Sequence, residues 1–86
     1  MHTVDLLQEA LKIAGQLGYR IRQEWLGGSG GGGCEIRGRR HLFLDLALTP
    51  ADQLEIVLQV IQRHPEAASS AMPPQLKTLI QAKRAA

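Results

Sequence analysis

The sequence has few aromatic residues, one cysteine and no long hydrophobic run. One tyrosine, one tryptophan and one phenylalanine stand among 86 residues, so aliphatic side chains must form most of the core. Cys34, as the single cysteine, cannot form an internal disulfide or a multi-thiolate metal site. No apolar run approaches the roughly 20 residues of a membrane span. The opening MHTVDLLQEAL carries acids and does not resemble a signal peptide, so we expect a cytoplasmic protein without a membrane partner.

The overall charge is close to balanced. Ten Lys and Arg residues stand against eight Asp and Glu residues, a net charge of +2, which does not by itself identify a partner. An apolar content of 44% is typical of a globular protein, and the length gives room for one small domain.

Helical periodicity is clear in two segments and weaker in a third. Residues 3–17 form an amphipathic pattern, with Thr3 as the expected N-cap and Gly18 as a left-handed C-terminal stop. Thr49-Pro50 predicts the start of a second helix that continues to about Arg63. A short last helix is predicted after Pro73-Pro74. The apolar residues of the second helix extend unusually far around it: Leu54, Ile56, Val57, Leu58, Val60 and Ile61.

Residues with a two-residue period predict three strands between these helices. They cover 19–26, 34–37 and 41–48, and residues 27–33, which are six glycines and a serine, are interpreted as a mobile connection. Tyr19, Ile21 and Trp25 are expected on one half-buried face of the first strand. Four residues of the third strand are expected to face the core: Leu42, Leu44, Leu46 and Leu48.

These elements predict an α+β fold, a small two-layer domain in the order helix, three-stranded antiparallel sheet, helix, short helix. The short links between strands favour antiparallel pairing. Residues 1–65 are expected to form the single domain, and residues 66–86 a linker and the short C-terminal helix.

Residues that could carry catalysis are sparse. Cys34, His41 and Asp45 could form a nucleophile set, but a hairpin turning at 38–40 would place Cys34 across from about Leu44, and a lone thiol is more often a buried filler. The histidines lack metal-ligand spacing, and the glycine run lacks the helix and the Lys-Ser/Thr pair of a phosphate loop. We therefore predict no catalytic residue, no metal and no cofactor.

Arginines are concentrated in the predicted sheet. Together with the neighbouring tryptophan they are the candidate partner-binding residues: Arg20, Arg22, Trp25, Arg37, Arg39 and Arg40. Such a face could meet RNA, DNA or an acidic protein, or could simply be solvated.

The chain also resembles a known family. The residues that carry the resemblance are Leu17-Gly18-Tyr19-Arg20-Ile21, the glycine loop, Leu46-Ala47-Leu48 and Thr49-Pro50-Ala51-Asp52-Gln53. Over about residues 5–63 this order is similar to the N-terminal half of ImmA/IrrE-type metallopeptidase domains, whose following helix bears an HExxH zinc site. The corresponding positions here are Gln59-Val60-Ile61-Gln62-Arg63, without a histidine or glutamate. The resemblance therefore implies a metal-free scaffold. Small bacterial proteins with "LGGSGGG…C" and "LSPAEQLE" patterns are also similar.

Two functional hypotheses follow. The broad apolar surface of the second helix and the free sheet edges favour a non-catalytic domain that binds another protein or itself, as a homodimer. The alternative is a nucleic-acid-binding module that uses the arginine-rich face of the sheet and Trp25.

Overall fold

The protein is an α+β domain of three helices and one three-stranded sheet, and the predicted fold class is confirmed. The computed structural model describes residues 2–69 and 72–85, without the side chains of residues 68, 69 and 83–85. In chain order the elements are α1 (Thr3–Gln16), β1 (Arg20–Glu24), β2 (Gly31–Ile36), β3 (Arg39–Asp45), α2 (Pro50–Ile61), a 3₁₀ helix (Pro65–Ser69) and α3 (Pro74–Ala85).

The end of α1 follows the predicted signal, whereas its start does not. Gly18 adopts a φ of 93°, and the N–H of Tyr19 reaches back to the carbonyl of Ala14 at 3.1 Å. Together with the bond from Gly18 N–H to the Gly15 carbonyl at 3.0 Å, this forms the Schellman motif that a left-handed glycine allows at a helix C-terminus. Thr3, predicted as the N-cap, is instead the first helical residue; His2 occupies the cap and makes no side-chain capping bond.

The start of α2 is confirmed at Thr49, whose hydroxyl accepts the N–H of Asp52 at 3.2 Å. The helix ends at Ile61, two residues before the expected Arg63. Its wide apolar surface is not exposed, contrary to the expectation that favoured protein docking. Five of its apolar residues are at most 7% exposed: Leu54, Val57, Leu58, Val60 and Ile61.

The additional burial of α2 comes from the C-terminal part of the chain. Ala67 of the 3₁₀ helix is 2% exposed, and Leu76 and Ile80 of α3 are 0% and 5% exposed in the same core cluster. Ala67, Leu76 and Ile80 therefore pack on the core and cover helical surface that the sheet does not reach.

The sheet is mixed, and the prediction that all three strands pair antiparallel is wrong. The strand order is β1-β3-β2, with β1 parallel to β3 and β2 antiparallel to β3. Residues 25–30 carry the chain past the end of β3, so that the last strand in sequence occupies the centre. Local periodicity reports which residues share a face, but not which strands are neighbours.

Asp45, at the end of β3, holds this crossing segment. Its side chain is fully buried, and its carboxylate accepts the N–H groups of Ala47 at 2.9 Å, Leu26 at 3.1 Å and Gly30 at 3.3 Å. Burial raises the pKa of the Asp45 carboxyl, but bonds from these three N–H groups and that of Gly28 outweigh burial. The pKa of Asp45 is therefore lower than that of an ordinary aspartate.

The β2–β3 hairpin turns at Arg37 and Gly38, which have φ values of 52° and 77°. Two positive φ values in a two-residue loop suit the twist of paired strands. Ile36 is therefore opposite Arg39, and Cys34 is opposite His41. The expected longer turn, which placed Cys34 near Leu44, is wrong.

Three glycines of the run 27–33 belong to β2 rather than to a mobile connection. A Cβ on Gly31 would overlap the Phe43 carbonyl oxygen, and one on Gly33 would lie 2.9 Å from Cγ2 of Val60. The absence of side chains allows β2 to approach both the central strand and α2. This close approach explains why an edge strand here tolerates the backbone entropy of glycine.

The core lies between the sheet and the pair α1–α2. Leu42 and Leu44 are fully buried there, as predicted. Leu46 is 37% exposed because β3 ends at Asp45, and so its predicted core position is wrong. Trp25, expected to be half-buried beside Tyr19 and Ile21, lies beyond the end of β1 and is 75% exposed.

Candidate functional site

One face of the sheet packs on α1 and α2, and the other is not covered by any helix that the structure describes. Alternation along the strands places Leu42 and Leu44 on the helix side, so the residues between and beside them face outward. We name this outward surface the open face. Its side chains are Arg20, Arg22 and Glu24 of β1, Arg39, His41 and Phe43 of β3, and Cys34 and Ile36 of β2.

Two rings occupy the centre of the open face. His41 and Phe43 are two positions apart on β3 and stack with their centroids 6.1 Å apart and their planes 20° apart. Both residues are half-buried. The Nδ1 atom of His41 has no hydrogen-bond partner among the described residues. The central strand thus presents a small ring platform, in which the Nδ1 atom of His41 is buried rather than open to solvent.

The neighbours of the platform differ on its two sides. Towards β1, Arg20 is in register with His41, and Arg22 is in register with Phe43. Towards β2, Gly32 is opposite Phe43 and carries no side chain. One side of the ring is therefore cationic, and the other leaves the ring edge accessible.

The predicted partner-binding residues are only partly brought together. Arg20, Arg22 and Arg39 share the open face. Arg37 lies in the hairpin turn. Arg40 is on the helix side, where Nη1 donates to the Leu17 carbonyl at 2.6 Å and the guanidinium is 5.8 Å from the Tyr19 ring centroid. Trp25 lies outside the strands.

Few acidic groups oppose the arginines of this face. Arg22 forms an ion pair with Glu24 at 3.4 Å, in which both side chains are about half exposed, so water screens most of its strength. Arg20 and Arg39 have no carboxylate within 4 Å in the part of the chain that the structure describes. These two cations are available to a ligand.

Cys34 and His41 lie across from each other but do not form a nucleophile pair with Asp45. No hydrogen bond joins Cys34 to His41, and the Asp45 carboxylate is occupied by backbone N–H groups. Cys34 is exposed, so the expectation that it is a buried filler is wrong. The arrangement lacks the ordered chain of nucleophile, base and orienting acid that activates a thiol.

A polar chain that the sequence analysis missed joins the 3₁₀ helix to the start of β1. The Tyr19 hydroxyl lies 2.7 Å from Nε2 of His64, and Nδ1 of His64 lies 3.2 Å from Oε1 of Glu66. The Tyr19 and His64 rings meet edge to face, with centroids 5.5 Å apart. The only sequence signal was a histidine just beyond α2, because the contact with Tyr19 spans 45 positions.

Glu66 ends this chain and is exposed. A hydrogen bond from its own backbone N–H is the largest effect on the pKa of Glu66 and lowers it. Desolvation raises this pKa by less, and the charges of His64 and Arg40 lower it further. The group is thus held as a carboxylate that keeps His64 in place.

The described residues contain no group of three or more His, Cys, Asp or Glu side chains placed to hold a metal ion. At the positions that correspond to the zinc motif of the resembling family, Val60 and Ile61 are buried apolar residues. Within the same described ranges, no helix combines the length and apolar character needed to cross a membrane.

Comparison of the chain with protein-family models, with curated proteins and with solved structures gave no match. The case for a function therefore rests on the geometry of the open face.

Proposed function

We propose that this protein is a non-catalytic binding module for single-stranded nucleic acid, and that the open face is the binding surface. The observation that carries the proposal is the His41–Phe43 stack on an uncovered central strand, with arginines in register beside it. The other hypothesis from the sequence, protein binding or self-association, used the apolar surface of α2 and the sheet edges; the α2 surface is buried, so only the sheet edges still support it.

Stacking supports the choice of nucleic acid. Every base has a π face, and base–aromatic stacking is worth about 1–3 kcal/mol per base. Phe43 and His41 form one stack that a base can extend at either end, and Gly32 leaves space next to Phe43 for a base to lie over the ring. The platform suits about two bases.

Charge supports the same choice. Arg20, Arg22 and Arg39 line the platform, and Glu24 is the one acidic residue among the strand positions of this face that is not buried. Guanidinium groups bind phosphate through paired N–H donors, and they also stack on bases. The combination of rings with flanking arginines is therefore complementary to bases with flanking phosphates.

The shape of the surface favours a single strand over a duplex. Base edges of double-stranded DNA are read by an element that enters a groove, whereas a sheet face reads bases that have been unstacked. None of the described helices projects from the open face.

The test is equilibrium binding to fluorescently labelled RNA and DNA strands of about ten nucleotides, the length an open sheet surface can hold. Phe43→Leu keeps an apolar side chain but removes the ring, and we expect affinity to fall about tenfold. Lys77→Gln, at an exposed position on α3, is the control for charge and should bind like the wild type.

Salt dependence gives a second readout. Three phosphate contacts predict that the logarithm of affinity falls with the logarithm of salt concentration with a slope of about −2, because each contact with a single strand contributes about −0.7. Arg22→Gln should reduce the magnitude of this slope by about one contact. If the folded protein binds neither RNA nor DNA at low salt, the proposal is wrong.

We also propose that the likeness to ImmA/IrrE-type domains reflects a common scaffold that is metal-free in this chain. The apolar pair Val60 and Ile61 inside the zinc-motif positions supports this view, since hydrolysis needs two imidazoles and a carboxylate there. Addition of Zn²⁺ should then leave the thermal unfolding midpoint unchanged. A marked stabilisation by stoichiometric zinc would contradict it.

A second candidate function is self-association through β2. This strand is an edge of the sheet, contains Gly31–Gly33 without proline, and carries Glu35 as its one charged residue. Natural edge strands are usually protected by charges, proline or bulges, and an unprotected edge can pair with a second copy. Light scattering at micromolar concentration tests this candidate, and a strict monomer would exclude it.

A further inference from the structure

A cleft at one end of the sheet carries three arginines and belongs to neither the ring platform nor the hydrophobic core. We name it the arginine cleft. Its lining residues are Leu17, Gly18, Arg20, Gly38, Arg39 and Arg40. It is formed where the C-terminus of α1 meets the β2–β3 turn and the first residue of β1.

The backbone at this end of α1 does not repel an anion as a bare helix C-terminus would. Its last carbonyls already have donors: Tyr19 N–H binds the Ala14 carbonyl at 3.1 Å, and Gly18 N–H binds that of Gly15 at 3.0 Å. Arg40 donates to the carbonyl of Leu17. The negative end of the helix dipole is thus partly neutralised before a ligand arrives.

The charge in the cleft is of one sign. None of its lining residues carries a carboxylate. Arg20 and Arg39 are exposed and form no ion pair within the described ranges. Arg40 is half-buried, and one of its five N–H donors is used by the Leu17 carbonyl, which leaves other donors for a ligand. The positive charge of Arg40 also acts on Glu66, which lies outside the cleft, and lowers the pKa of Glu66.

We propose that the arginine cleft binds a phosphate monoester. A terminal phosphate carries a charge of about −1.5 to −2 and three acceptor oxygens. These match the two exposed guanidinium groups of Arg20 and Arg39, with Arg40 adding positive charge from the helix side of the cleft, better than the single charge of an internal phosphodiester does. A carboxylate would satisfy only one such group well. The cleft therefore selects phosphate by charge as well as by the number of acceptors.

This site is continuous with the open face, and here the inference rests on the proposed function. Arg20 and Arg39 contribute to both surfaces. A strand whose bases stack on His41 and Phe43 would reach the cleft at its terminus. The phosphate could equally belong to a free mononucleotide, and the experiment separates these two sources.

The experiment compares a labelled oligonucleotide of about ten nucleotides that ends in a 5′-phosphate with the same strand ending in a 5′-hydroxyl. We expect the phosphorylated strand to bind about tenfold more tightly, as the loss of a charged hydrogen bond predicts. Arg39→Gln, at an exposed residue with no ion pair among the described residues, should remove most of the difference. Lys77→Gln should preserve it.

A parallel NMR titration with uridine monophosphate and with uridine gives a readout at the cleft itself. The monophosphate should shift the amide signals of Gly18 and Gly38, and uridine should not. Equal binding of both strands with no shift of these amides would overturn the inference and leave the proposed function standing. Shifts with the monophosphate but no binding of either strand would uphold the cleft and contradict the proposed function.

Discussion

The carboxylate of Asp45 accepts the backbone N–H of Leu26 at 3.1 Å, across 19 positions of the sequence. The pKa of Asp45 is lower in the folded protein than its ordinary value of 3.8. The ionised carboxylate therefore stabilises the fold at pH values above the pKa that Asp45 has in the unfolded chain. This stabilisation is lost as the pH falls through the pKa of Asp45 in the folded protein. We expect the free energy of unfolding, measured in urea, to decrease below about pH 4.

Asp45→Asn should lower stability at neutral pH and make it less sensitive to acid. Part of the acid sensitivity should remain, because the pKa of Glu66 is also lowered. Identical pH profiles for the wild type and Asp45→Asn would show that the carboxylate does not hold the crossing segment.

Gly31→Ala should be much more damaging than Gly28→Ala. Both residues have positive φ, 102° and 84°, so alanine at either site costs about 1–2 kcal/mol. At Gly31 the new Cβ also meets the Phe43 carbonyl oxygen, and overpacking adds about 1–3 kcal/mol, whereas nothing lies within 4 Å at Gly28. Urea denaturation of both variants measures the difference, and equal losses would contradict the close approach of β2 to β3.

The capping bond at α2 predicts an asymmetry between the two N-caps. Thr49→Ala should reduce the free energy of unfolding by about 1 kcal/mol, because the N–H of Asp52 loses its acceptor. His2→Ala should change it little, since the His2 side chain makes no capping bond. Thermal denaturation of the two variants tests the pair; a larger effect at His2 would contradict the cap assignment.

The bond between Tyr19 and His64 should appear as a coupling energy. Tyr19→Phe removes the hydroxyl and is expected to cost about 1 kcal/mol. In a His64→Ala background the same change should cost less, because the partner is already gone. Additive effects in the double-mutant cycle would show that the two side chains do not interact.

Cys34→Ser should leave stability within about 0.5 kcal/mol of the wild type, because the thiol is exposed and makes no hydrogen bond in the described structure. A strong loss of stability would indicate that the side chain packs against a covering element or a second copy.

Sequence patterns located most elements but not their pairing. Thr49 and Gly18 act locally, so their capping roles could be predicted. Leu42 and Leu44 were recognisable because a period of two identifies a buried face. The parallel pairing of β1 with β3 and the bond from Leu26 to Asp45 join residues 19 or more positions apart, which no local pattern reports.

The candidate site was predicted only in part for the same reason. Arg20, Arg22 and Arg39 were visible as candidates, but the role of Phe43 required knowing that β3 is central. The glycine in Arg37-Gly38 is typical of a two-residue hairpin turn, and a turn at these two residues places Cys34 opposite His41.

The strand order has a consequence for biosynthesis. β3 is the last strand to be made, yet it is the only neighbour of both β1 and β2. During translation neither earlier strand has a partner until Asp45 has left the ribosome, so the sheet cannot assemble stepwise from its N-terminal end. The glycine-rich composition of the waiting β2 segment, with little apolar surface to aggregate, suits a chain that must remain unpaired during that interval.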